Sequence, residues 1–269
     1  MRHSVATFKA RLERDVLGHA VIHANPYTAW FKRGQFSAEQ ARAFLVQFSV
    51  FSNQFLLAQL GKVLNAETLE EMRASKEILA NEIGVGFRGP GGDAVLGDTE
   101  GSIEGGVFHF RAAHFELLVR MARQFGLSFG DLGKRRLGTE PTLFFCDELL
   151  RLYAHEDYQV SAAASWAIEN WAAAGFWDEL VDGWQRYRQR HTGKSLDTGF
   201  FTWHARLEAN HARHTTEELA SILRAHDIDQ DRFVHDANEM LEAVLVFWRG
   251  LDEQRRCLAN SETADAKAG

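Results

Sequence analysis

Residues 204–211 read HARLEANH. On a helix that turns roughly 100° per residue, His204, Glu208 and His211 fall at about 0°, 40° and 340°. All three share about one sixth of the circumference. Phe200, Phe201 and Leu207 lie near that stripe, and Arg206, Asn210 and Arg213 lie opposite, so the stripe is predicted to face inward. A buried carboxylate is costly unless it is paired or metal-bound. Two imidazoles and a carboxylate on one inward face suit a transition metal. A buried His–Glu–His hydrogen-bond network would use the same residue types. His214 falls about 120° from Glu208 and is expected at the periphery.

One helix gives at most three ligands to one ion, so other inward-facing ligands matter. Glu82, in ILANEIG, shares a face with Ile78 and Leu79. His114, in AAHFELLVRMARQF, lines up with Leu118, Met121 and Phe125, with Glu116, Arg120 and Arg123 opposite. Glu169 is the lone acid in the small and aromatic run SAAASWAIENWAAAGF. Each has an ordinary alternative: a core histidine with satisfied nitrogens, or a solvated glutamate at a helix end. Together the set is Glu82, His114, Glu169, His204, Glu208 and His211. Three carboxylates against two divalent cations leave a near-neutral interior, and this donor set suits two Fe(II) ions with positions open for O2. Manganese or a mixed Mn/Fe pair satisfies the same ligands.

These residues need a helical scaffold. Prolines are confined to Pro26, Pro90 and Pro141, and good helix formers abound. A first helix is predicted over Val5–His23. Ser37 opens the capping box SAEQ ahead of a long helix apolar on nearly all sides, ARAFLVQFSVFSNQFLLAQLGKVL. Further helices are predicted at Glu67–Ile83, Phe108–Phe125, Leu143–Tyr153, Val160–Ala174, Trp177–Arg190, Gly199–His226 and Asp231–Cys257. Residues 85–106 are glycine-rich and aperiodic and are read as a long insertion loop. No GxxxxGK[ST] phosphate cradle occurs in it. The segment 258–269 is expected to be a disordered tail. The reading is a single all-α domain over 1–257, a bundle of seven to eight helices.

A net charge of −7 argues against nucleic acid as a partner. No apolar run is read as reaching the roughly 18–20 residues that span a bilayer. The N-terminal MRHSVATFKARLERD lacks the apolar stretch of a signal peptide. Cys146 and Cys257 suggest neither a disulfide framework nor a CxxC metal site. A cytoplasmic protein with no membrane partner is expected, and a homodimer is its commonest assembly.

In NEIG (Glu82), AAHFELL (His114), AIENW (Glu169) and HARLEANH (His204, Glu208, His211), the sequence resembles the haem-oxygenase-like di-iron oxidases and oxygenases. That fold is shared with thiaminase-type TenA proteins and with pyrroloquinoline quinone synthase. The segment NPYTAWFKRGQFSAEQARAFLVQF also looks like the start of these folds, and the resemblance spans roughly residues 20–250. The family pattern is Glu, His, Glu, then His-x3-Asp-x2-His. Glu208 stands where the family usually has Asp, and the stretch between Glu82 and His114 is longer than usual. The resemblance implies a non-haem di-iron oxidoreductase that takes O2 as co-substrate. Its substrate would be a small organic molecule such as an amino acid, an amine or a fatty acid, to be hydroxylated, desaturated, cleaved or decarboxylated. An external electron donor is possible, and the six residues above would be the metal ligands. Aromatic walls are expected from Phe48, Phe51, Phe55, Phe110, Trp166 and Trp203.

Two rival readings use different features. A metal-independent TenA-like hydrolase would need a nucleophilic cysteine, and Cys146 in TLFFCDELL is the candidate. A non-catalytic metal-binding protein would keep the ligands and consume no oxygen.

Overall fold

The structure is a computed structural model describing residues 5–88, 107–110, 113–191, 195–206, 219–220, 222–224 and 226–268. Its helices are α1 (Val5–Asp15), α2 (Ala20–His23), α3 (Pro26–Phe31), α4 (Ala38–Leu64) and α5 (Leu69–Glu82). A two-stranded antiparallel ladder, β1 (Val85–Arg88) with β2 (Val107–Phe110), leads to α6 (His114–Arg123). Then follow α7 (Glu140–Tyr153), α8 (Tyr158–Ala172), α9 (Phe176–Arg190), α10 (residues 199–206) and α11 (Gln230–Ala268).

Helix α4 is the axis of the bundle and packs against α5, α6, α7 and α11. By length and composition it could cross a membrane, contrary to the expectation that no run is long enough. Half of its most apolar window is buried inside the protein, as suits a central core helix. It begins as its capping box predicts: Ser37 Oγ accepts from Gln40 N at 3.1 Å, and Gln40 Oε1 accepts from Ser37 N at 2.9 Å. Thr68 and Glu71 start α5 in the same way. A continuous apolar core links α1 to α11 through Phe8, Phe48, Trp184, Phe233 and Trp248.

Four expectations are corrected. The first helix does not run unbroken to His23. It stops at Asp15, and His19 Nδ1 accepts from Val21 N at 3.2 Å, starting a new turn instead of continuing the old one. PYTAWF, outside every predicted helix, is helical: Pro26 sits in its first turn, and Asn25 Oδ1 caps the amides of Tyr27 and Thr28. The helix placed from Phe108 starts at His114, and the first four residues of the supposed 85–106 loop pair with residues 107–110, with Val85 opposite Phe110 and Arg88 opposite Val107. Finally, the tail expected to be disordered continues α11 to Ala268, since ANSETADAKA holds good helix formers and no proline.

Candidate functional site

Glu82 is the last residue of α5, and His114 is the first of α6. Far apart in sequence, they are brought together by the ladder, whose paired ends lie immediately after one and before the other. His114 Nδ1 sits 3.0 Å from Glu82 Oε2, and the two side chains are 7% and 19% exposed. The approach is that of an ion pair but lacks hydrogen-bond alignment. Neither ring nitrogen of His114 has a hydrogen-bond partner among the described residues. Glu82 adds a further imbalance. Its carboxylate ends a helix, where the dipole is negative, and the last turn of α5 holds no basic residue. A buried imidazole with no hydrogen bond among the described residues, beside a carboxylate so placed, is costly without a further partner.

His204 lies on α10 and faces the same space. Its Nδ1 is 2.7 Å from the Phe200 carbonyl. A proton donated there fixes the tautomer and puts the lone pair on Nε2, the usual arrangement of a metal-binding histidine. The His204 ring stacks on Trp177, with centroids 4.5 Å apart and planes at 17°. Its centroid is 5.2 Å from that of His114. Trp203 also packs on His114, with ring centroids 4.1 Å apart and planes at 52°. Glu169 comes from the last turn of α8.

Glu82, His114, Glu169 and His204 all line one cavity of about 480 Å³. That is a fitting size for a small organic molecule. Phe48, Phe51, Phe55, Ile168, Trp171, Trp177 and Phe200 form its apolar wall. Four of the six sequence-derived ligands therefore share one chamber. Glu208 and His211 lie outside the described residues. The donor atoms of the four are not drawn into one tight knot; the close pair is Glu82 with His114. Among the described residues, three donors within 4.8 Å of one another occur at His235, Asp236 and Glu239 on α11. Arg232 stands 3.7 Å from Asp236 and Arg151 2.7 Å from Glu239, and these guanidiniums already occupy the place of a cation.

The aromatic wall holds Phe48, Phe51 and Phe55 as expected, but Trp203 packs on His114 without lining the cavity, and Trp166 turns away to meet Phe233 at 6.4 Å. Helix α8 is buried from Gln159 through Ile168, so no polar face in its sequence reveals which side meets the cavity. The side chain of Phe110 lies outside the described residues. Sequence reasoning also passes over Gln59, Lys62, Ser165 and Trp177, which line the chamber. The signal for one of them is present: Lys62 is the lone charge in FLLAQLGKVL.

Cys146 does not line the cavity, and it is 4% exposed. Burial pushes its thiol up to about 12, with Arg135 opposing the shift. At neutral pH it stays protonated and is no nucleophile.

No family model and no curated protein matches the chain. Among solved structures it is similar to a TenA homologue protein from P. horikoshii OT3. The TM-score is 0.60 at 14% identity, over 91% of this chain and 97% of that one. It is also similar to a CADD-like protein of unknown function from Nostoc punctiforme PCC 73102. There the TM-score is 0.59 at 17% identity, over 93% of this chain and 95% of that one. The chain therefore has the all-α TenA-like, haem-oxygenase-like fold expected from its sequence.

Proposed function

We propose that the chain is a non-haem di-iron oxidase or oxygenase that oxidises a small organic substrate with O2. Glu82, His114, Glu169 and His204 would hold the metal together with Glu208 and His211. The observation that carries this reading is His114: a buried ring whose nitrogens have no hydrogen-bond partner among the described residues, 3.0 Å from a carboxylate, in a largely apolar chamber. The donor set of imidazole and carboxylate fits Fe(II), and Mn(II) or a mixed pair by the same chemistry. Two such ions, when bound, supply the electrons and open coordination positions that O2 activation requires.

The residues of this chain then have separate roles. The Phe200 carbonyl keeps the proton of His204 on Nδ1 and presents Nε2. Trp177 and Trp203 hold the two imidazoles in place from their faces. Phe48, Phe51 and Trp171 exclude water from the chamber, which strengthens every electrostatic contact inside it. An external reductant would complete any cycle in which the substrate supplies too few electrons.

Anaerobic Fe(II) titration of metal-free protein, followed by oxygen-uptake measurements, tests the reading. The expected result is two irons per chain, with His114→Ala and His204→Ala each losing tight binding. His191→Ala should bind as the wild type does, since His191 is exposed and only folds back on Tyr187. Absence of stoichiometric iron at any ratio, with candidate substrates present, would refute it. Iron binding without oxygen uptake would favour the non-catalytic metal protein. The hydrolase reading is disfavoured by the buried, protonated Cys146.

A further inference from the structure

Gln59 belongs to the chamber wall on α4 and is fully buried. Its Nε2 donates to Tyr153 Oη at 2.8 Å, and Tyr153 is itself fully buried at the end of α7. That bond occupies the nitrogen end of the amide. The oxygen end, Oε1, has no hydrogen-bond partner among the described residues. A buried amide with one end unsatisfied is costly, and an apolar side chain of the same length would fill the place without that cost. Trp171 and Trp177 also line the chamber with unpartnered indole nitrogens, but Trp184 and Trp248 away from it share that state, so the indoles single out nothing. Gln59 Oε1 is the one buried, unpartnered side-chain oxygen among the described residues that line the chamber. Lys62, nearly one turn further along α4, is already engaged: its Nζ donates to Ser165 Oγ at 2.5 Å and lies 4.8 Å from the centre of the Tyr153 ring. In the other direction the wall is aromatic. Phe55 packs on Tyr153 with centroids 5.6 Å apart, Phe51 meets Trp171 at 6.4 Å, and Phe48 meets Trp177, whose ring stacks on His204. From Gln59 back to Phe48 is roughly 16 Å of helix. The wall thus runs from a neutral acceptor, over phenylalanines, to the histidine end.

We propose that Gln59 is a specificity-determining residue, and that the substrate is an uncharged molecule with an O–H or N–H donor at one end, an alcohol or a primary amide. The donor meets Gln59 Oε1, and the apolar body lies along Phe55 and Phe51 toward the proposed metal ligands. Gln59 offers an acceptor without a charge. A carboxylate would set acceptor against acceptor there, and the chamber's Glu82 and Glu169 are acceptors too. A buried ammonium would meet a neutral amide in place of a counter-charge, because under the proposed function those two carboxylates hold metal. A hydroxyl or an amide N–H satisfies the oxygen that the fold leaves over. A site built to hydrogen-bond such a group rejects the analogue that lacks it, since its own polar atom is then left unpaired. The inference rests on reading the chamber as the reaction centre, but Gln59 is not one of the proposed ligands.

The test is binding by the full chain, followed by tryptophan fluorescence because Trp171 and Trp177 line the chamber. It is run without metal and again with Fe(II) under argon. Two pairs of isomers differ in the donor but not in their atoms: octanol against heptyl methyl ether, and octanamide against dimethylhexanamide. Octylamine and octanoate are the charged members of the panel. The alcohol and the primary amide should bind wild type roughly 3- to 10-fold more tightly than their isomers, the range of one net hydrogen bond. In Gln59→Met, which keeps the length and drops the acceptor, the members of each pair should bind alike. Tyr153→Phe should shrink the preference, because the amide is no longer held by its nitrogen. Far-UV circular dichroism verifies that each variant is folded, and iron stoichiometry should be unchanged in Gln59→Met. The comparison within wild type needs no variant at all. An ether or tertiary amide that binds as tightly as its isomer, as when only a water sits on Oε1, would overturn the proposal. So would a preference that survives Gln59→Met, a charged member that binds more tightly than both donors, or no binding by any member. A preference that depends on Gln59 in a protein that takes no iron would refute the oxidase and leave the donor site standing. Normal iron loading with isomers that bind wild type alike would refute the role of Gln59 alone.

Discussion

Replacing His114 with Phe should stabilise the metal-free protein while destroying its capacity for metal. The Phe ring keeps the packing against Trp203 at 4.1 Å and His204 at 5.2 Å. What it removes is a buried polar ring with no hydrogen bond among the described residues. An unsatisfied buried polar group costs about 1–3 kcal/mol. Only Nε2 is counted fully, because Nδ1 touches Glu82. Loss of that contact costs about 0–1 kcal/mol, since Glu82 keeps access to water. The net gain is about 0–3 kcal/mol, and each kcal/mol raises Tm by about 2–4 °C in a domain of this size. Thermal and urea denaturation after chelator treatment would measure it. Adding Fe(II) at about a hundred times its Kd should then stabilise wild type by about 2.7 kcal/mol and leave His114→Phe unchanged. A metal-free variant less stable than wild type by 1 kcal/mol or more, as an order-of-magnitude threshold, would show that His114 is satisfied in the core, and the case for a metal would lose its main support.

Other tests probe the surroundings of the site. At neutral pH a thiol reagent should label one cysteine per native chain, the exposed Cys257, and reach Cys146 only on unfolding; rapid labelling of both would contradict the buried thiol. Gly61→Ala should destabilise by about 1–3 kcal/mol in urea, because the added methyl would meet Ala154 Cβ at 2.3 Å; an unchanged midpoint would show that the two helices separate freely there. Burial, partly opposed by Arg232, holds the Asp236 carboxyl above its ordinary range. For an acid so shifted, the folded state binds the proton more tightly, so stability falls as pH rises from the unfolded value of about 3.9 through the folded one. Asp236→Asn should therefore stabilise at pH 7 and lose its advantage as the pH falls below the ordinary aspartate range. Equal urea midpoints for variant and wild type at pH 7 would refute this.

Much of the scaffold could be read from local chemistry. The boxes at Ser37 and Thr68 start α4 and α5, and the apolar circumference of α4 places it at the centre. Glu82, His114 and Glu169 each stood out as a polar residue on an apolar face, and the fold brings them to one chamber with His204. The strands escaped because VGFR and VFHF are too short to show a period, and pairing between distant segments leaves no local mark. Trp166 was put on the wrong side because a helix buried nearly all round has no solvent face from which to set its phase. The contact of Lys62 with Ser165 joins residues 103 apart in sequence, and such a pairing leaves no local mark.

The ladder between α5 and α6 makes the length of chain between its strands a free parameter. Arg88 and Val107 leave and re-enter opposite each other, so the spacing of Glu82 and His114 is set by the paired strands rather than by what joins them. An Asn-Gly turn spliced directly from Arg88 to Val107 satisfies the geometry of a tight hairpin. By the same reasoning, a whole foreign domain whose ends lie close together could be inserted there. The junction is thus a graft point at which the pairing of Val85–Arg88 with Val107–Phe110 would be kept.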